Sequence, residues 1–124
     1  MPLTISNLVS SAEVLVESYL AFLRDTQGVS EATVVLRHQF IRPFLTQLAQ
    51  EGKLPDFVHL APSVIHDYVI KATPPLTRAS RKHLVSALRS FFRFAHIRGY
   101  VARNLVDAVP IIATRKFRTP DMVA

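Results

Sequence analysis

Cysteine is absent from the 124 residues, which excludes disulfides, thiolate zinc sites and cysteine nucleophiles and suits a reducing compartment. No uninterrupted apolar stretch approaches the roughly 18 residues that cross a bilayer. The opening MPLTISNLVSSAE lacks the basic start of a secretory signal. A soluble, cytoplasmic protein with no membrane partner is the expectation. Glycine occurs only three times, and none of the three belongs to a phosphate-cradling loop. There is no Gly-x-Ser-x-Gly nucleophile elbow, no His-Glu-x-x-His, no period-2 strand pattern and no internal repeat. What is present is apolar: hydrophobic residues make up 49% and charged residues 19%, enough to bury the core of one domain.

Charge is the second shortage, and it is one-sided. The first 56 residues hold four Lys and Arg against six Asp and Glu, a net −2, whereas the remaining residues hold eleven against three, a net +8. No acidic residue lies between Asp67 and Asp107, yet Lys71, Arg78, Arg81, Lys82, Arg89, Arg93, Arg98 and Arg103 all fall there. Such segregation points to a polyanionic partner.

The glycines mark where helices end, since a chain leaves a helix most easily through a left-handed residue. Before Gly28, from about Ser11 to Asp25, Ala12, Leu15, Val16, Tyr19, Phe22 and Leu23 share one face. After it, Ser30 is an N-cap with Glu31 in the first turn, opening a second helix to Glu51 through Val34, Phe40, Ile41, Phe44, Leu45 and Leu48. Pro43 lies inside this pattern and predicts a kink or a break just before it. A connector spans 53–60. Pro62 occupies the first position of a third helix, which buries Val64, Ile65, Tyr68, Val69 and Ala72 and stops at Pro74-Pro75. Thr77 caps a fourth helix to about Arg98, with Leu84, Val85, Leu88, Phe91, Phe92 and Ala95 inward. Beyond Gly99 one more short turn falls near 103–107, followed by a tail without amphipathic order.

At 100° per residue, Arg78, Lys82, Arg89, Arg93 and His96 of the fourth helix lie within about 60° of one another, with Arg81 beside them. A solvated face ordinarily mixes signs for support at i,i+4, and this one contains no acid. Guanidinium groups match phosphate oxygens in pairs, and Thr77 and Ser80 at the helix start can add phosphate contacts. A cationic amphipathic helix also suits an anionic membrane, but Phe91, Phe92 and Phe94 are better accounted for by packing against the other helices. The five histidines, His38, His59, His66, His83 and His96, have no i,i+3 or i,i+4 pair and too few carboxylates nearby for a ligand set. No metal and no cofactor is expected, and no pair of carboxylates is spaced for acid and base work.

The run Ser30-Glu-Ala-Thr33, with Phe44 and Leu48 after it, then Ser80, LVSALRSFFRFAHIRGY over 84–100 and Asn104, resembles the N-terminal core-binding, SAM-like domain of tyrosine recombinases, the phage integrase and Xer-type family. The resemblance covers about residues 11–109. It implies an all-α, compact bundle of four main helices plus a short C-terminal turn, two helices of which face double-stranded DNA as one half of a clamp. By the same resemblance 1–109 is the DNA-binding domain and 110–124 a basic linker toward a catalytic domain of the same parent protein, with oligomers forming on DNA. Ser30, Thr33, His38 and Arg42 would approach DNA from the second helix. Thr77, Arg78, Ser80, Arg81, Lys82, Arg89 and Arg93 would approach it from the fourth. This chain departs from the family where Arg37 replaces an aromatic, Leu84 a basic or polar residue, and Leu105 the proline of Asn-Pro.

The family's chemistry is strand exchange through a phosphotyrosine, which uses an Arg, a Lys, a His-x-x-Arg and a Tyr of the other domain. No His-x-x-Arg occurs in these 124 residues, so this chain is expected to bind DNA without cutting it. Two other functions fit the same charge. One is an all-helical protein-interaction module whose basic face meets an acidic partner. The other is a helix-turn-helix regulator, for which the connector over 74–77 has the wrong spacing.

Overall fold

Hydroxyl caps, proline starts and glycine stops divide the chain where their chemistry places them. The computed structural model describes residues 5–110, with side-chain environments from Ala12 onward. Four α-helices follow one another: α1 (Ile5–Asp25), α2 (Glu31–Gln50), α3 (Pro62–Ala72) and α4 (Arg78–Ile97), with short 3-10 turns at Phe57–His59 and Val106–Ala108. No strand occurs among the described residues, and the fold is the expected all-α bundle. Of the linker read at 110–124, everything beyond Pro110 lies outside the described residues.

Capping accounts for the helix boundaries. Ser30 Oγ accepts the Thr33 backbone N–H at 3.2 Å, and Thr77 Oγ1 accepts that of Ser80 at 3.1 Å, each satisfying a donor that the first turn leaves open. At the other end of α4, Gly99 has φ +79° and the Tyr100 N–H reaches back to the Ala95 carbonyl at 2.8 Å, a Schellman closure. Two boundaries differ from expectation. The first helix begins at Ile5 rather than near Ser11, because its opening residues carry little amphipathic contrast. The second helix is continuous through Pro43, so the expected break does not occur. Ile41, Phe44, Leu45 and Leu48 are all buried on either side of the proline, and that burial offsets the one ladder bond lost.

The first two helices form an antiparallel hairpin, seen in its cross-pairs: Arg24 with Glu31 at the turn, Tyr19 with Arg37 midway, and Glu13 with Arg42 farther out. The Arg24 guanidinium holds the Glu31 carboxylate with two bonds, 2.7 and 3.3 Å. The bond from Arg24 lowers the Glu31 pKa from its ordinary value. A lowered folded-state pKa stabilises above the ordinary carboxylate range, and the contribution is lost as pH falls through the folded value. The pair is exposed, so salt weakens it. We expect an NMR titration to place Glu31 below the ordinary glutamate value, and Arg24→Gln to raise it toward that value. An unchanged Glu31 in that variant would rule the pair out as the cause.

Across this hairpin lies α4, whose buried side carries Phe91, Phe92 and Phe94, each with no exposed surface. Tyr19 of α1 meets Phe91 edge-on at 5.4 Å, Phe22 meets Phe94 at 5.1 Å, and Phe44 of α2 meets Phe92 at 5.7 Å. Phe57, from the 3-10 turn in the connector, joins both Phe91 and Phe92. Tyr100 packs across the end of α4 on Phe94 at 5.7 Å, as its place after Gly99 suggests. Leu84 is buried and therefore serves the core rather than the surface. Beyond α4 the chain is tied down: the Ala102 N–H bonds to the Val58 carbonyl at 2.9 Å, and Val101, Leu105, Val106 and Val109 are buried. No helix among the described residues is long and apolar enough to cross a membrane.

Candidate functional site

The inward half of α4 comprises Leu84, Val85, Ala87, Leu88, Phe91, Phe92, Phe94 and Ala95, a half-cylinder. Opposite it stand Arg78, Lys82, Arg93 and His96, all exposed, and Arg89, half-buried. The apolar half fixes the helix rotation, so the cations face outward as a group. Their pairing separates them from the other cations. Among the described residues, Lys82, Arg89 and Arg93 form no ion pair, whereas Arg24 and Arg42 on the acidic half of the chain are matched by Glu31 and Glu13. Three like charges on one helix face, unmatched by a carboxylate among the described residues, repel one another and attract anions.

The remaining residues expected at the site divide by what already holds them. Arg81 donates from Nε to the Leu76 carbonyl at 3.0 Å and from Nη2 to the Pro74 carbonyl at 3.1 Å, so it fastens the connector between α3 and α4. Ser30 donates to Thr33 Oγ1 at 3.1 Å while capping α2. Thr77 likewise caps α4. Ser80 lies half-buried one turn into α4, and His38 half-buried on α2. Arg42 stays exposed but is shared with Glu13 at 2.9 Å. Lys82, Arg89 and Arg93, which have no ion pair among the described residues, therefore all lie on α4, and on α2 polar side chains are largely occupied by the fold.

One constellation was not legible in the sequence. Tyr19, fully buried on α1, donates its hydroxyl proton to Ser90 Oγ of α4 at 2.8 Å and accepts from Arg37 Nη1 of α2 at 3.3 Å. Three helices thus meet at one phenol oxygen. Arg37 is half-buried, forms no ion pair among the described residues, and lies one turn after Thr33. The sequence signal was the departure already noted, an arginine where the family has an aromatic.

Elsewhere the surface offers less. Glu51, Lys53, Asp67, Tyr68 and Lys71 line a shallow cavity of about 230 Å³ between the end of α2 and α3. Burial beside Phe44 raises the Tyr68 pKa. His59 sits 2.9 Å from Asp56 and His66 3.8 Å from Asp67, all exposed. No group of three or more His, Asp or Glu among the described residues could hold a metal ion.

Comparison with known proteins places this geometry. The "Putative integrase/recombinase y4rA" of Sinorhizobium fredii is 32% identical over 104 residues, covering 84% of this chain and 25% of that protein. The chain thus spans about a quarter of the length of the curated relative it matches. No solved structure matches it. Residues 16–99 match the model of the phage integrase N-terminal SAM-like domain, a stretch running from the middle of α1 to the glycine that closes α4. The four-helix bundle with its cationic fourth helix is a member of the phage integrase N-terminal SAM-like domain family.

Proposed function

We propose that this chain is the DNA-binding domain of a site-specific tyrosine recombinase and clamps duplex DNA at the core recombination site, residues 1–109 forming the binding unit and 110–124 leading toward a catalytic domain. The observation that carries the reading is the trio Lys82, Arg89 and Arg93 on α4, directed away from the core and without an ion pair among the described residues. Family membership supports it. Contacts are mainly to phosphates, since arginine and lysine on one helix face neutralise backbone charge without needing a particular base. The chemistry of strand exchange belongs to the parent protein, and this domain contributes position and grip.

Fluorescence anisotropy with a duplex of about 25 base pairs, repeated across salt concentrations, tests the reading. Four to six phosphate contacts predict a log-log salt slope near −4 to −5. No binding at low salt would turn the basic face toward an acidic protein partner instead.

A further inference from the structure

We infer that Arg37 is a phosphate-contacting residue at the seam between α2 and α4, held in place by the part-buried Tyr19–Ser90 hydrogen bond. The inference deepens the DNA-binding reading and rests on it. Three observations carry it. First, Arg37 donates from Nη1 to the Tyr19 hydroxyl, an uncharged acceptor that neither neutralises the guanidinium nor satisfies its fork. Second, the Tyr19 oxygen is itself fixed, because its proton goes to Ser90 and its ring is enclosed by Phe91 and Phe94. The arginine therefore has an anchor of low mobility, and ordering its long side chain costs less on binding than it would on an open helix face. Third, the position is shared with the cationic face: Ser90 lies on α4 between Arg89 and Arg93 in sequence, about 60° around the helix from Arg93.

A carboxylate partner would make Arg37 a structural ion pair, as Glu13 does for Arg42. None is present among the described residues. A phosphodiester oxygen entering the seam meets a planar guanidinium already anchored at Nη1, and Arg93 lies on α4 three residues after the Ser90 that completes the anchor. Such an arrangement adds grip on the backbone and no preference for a base.

The test uses the whole chain with two duplexes of unrelated sequence. Arg37→Ala is expected to weaken binding about 5- to 10-fold on both and to flatten the salt slope by about 1. Arg37→Lys keeps the slope and loses part of the affinity, because the charge remains without the fork. Tyr19→Phe removes only the anchoring oxygen and is expected to weaken binding about 2- to 3-fold with the slope unchanged. Circular dichroism confirms that each variant folds. Native affinity and slope in Arg37→Ala, while the unaltered chain binds DNA, would overturn the inference and leave the DNA-binding reading standing. A loss confined to one duplex would overturn the phosphate assignment. Failure of the unaltered chain to bind either duplex removes the reading itself, and the inference with it.

Discussion

The triple variant Lys82→Glu, Arg89→Glu, Arg93→Glu is expected to lose duplex binding by more than about 100-fold near 100 mM salt, with the salt slope flatter by about 3. Three cations that release counterions are removed, and three carboxylates that repel the same phosphates are installed. Each lost contact at roughly 1 kcal/mol already yields about 100-fold for three, since about 1.4 kcal/mol is tenfold. The fold should survive. Lys82 and Arg93 are exposed and Arg89 is only half-buried, and none is paired with a residue the bundle needs. Positions 89 and 93 already repel at i,i+4, so reversal of both leaves that term as it was. Arg81 is deliberately spared, because its bonds to the Leu76 and Pro74 carbonyls would make any loss of binding there a mixture of unfolding and charge. Anisotropy titrations beside far-ultraviolet circular dichroism check the result. Near-native affinity in a helical triple variant would move the interface off α4.

Phe91→Ala should be the most damaging single truncation for stability. The side chain has no exposed surface and sits where α1, α4 and the connector turn converge, with ring neighbours Tyr19, Phe92, Phe94 and Phe57 at 5.4, 5.1, 6.0 and 6.3 Å. Removing a buried phenyl ring costs about 3 to 5 kcal/mol, and edge-on pairs add to the loss. Against a total of about 5 to 15 kcal/mol for a domain, the variant retains a small remainder. Tm is expected to fall by roughly 15 °C in thermal denaturation. Phe91→Leu, which refills most of the volume, should recover at least half of that. A drop of under about 3 °C for Phe91→Ala would mean that the aromatic cluster repacks freely and does not define the core.

Most of the helical framework is readable because its determinants are local. Ser30, Thr77, Pro62 and Gly99 act within one turn of themselves, and the apolar stripe of α4 repeats at helical spacing, so boundaries and the inward face follow from short windows. Pro43 misleads for the opposite reason. Its penalty is local, but the burial that outweighs it comes from helices elsewhere in the chain. Arg81 falls beside Arg78 and His96 on a helical projection, and only the path of the preceding connector shows that its guanidinium turns back onto Leu76 and Pro74. The Arg37–Tyr19–Ser90 junction is hidden more deeply, since its members lie 18 and 71 residues apart and no pattern in the sequence links them. Long-range polar contacts are products of tertiary packing, and the one local sign of this junction is Arg37 at a position where the family has an aromatic.

The separation of matched from unmatched cations also gives the molecule a direction in an electric field. Among the described residues, those up to 56 are net −2, and those over 57–110, with eight Lys and Arg against two Asp, are net +6, so the bundle carries a charge moment whose positive end includes α4. Near a line of phosphates such a body is turned before it is touched. Encounters that would begin on the acidic residues Glu13, Glu17 and Asp25 of α1 are repelled or rotated, and fewer collisions are spent on unproductive orientations. The gain falls on the association rate rather than on the lifetime of the complex, and it fades as added salt shortens the range over which the torque acts.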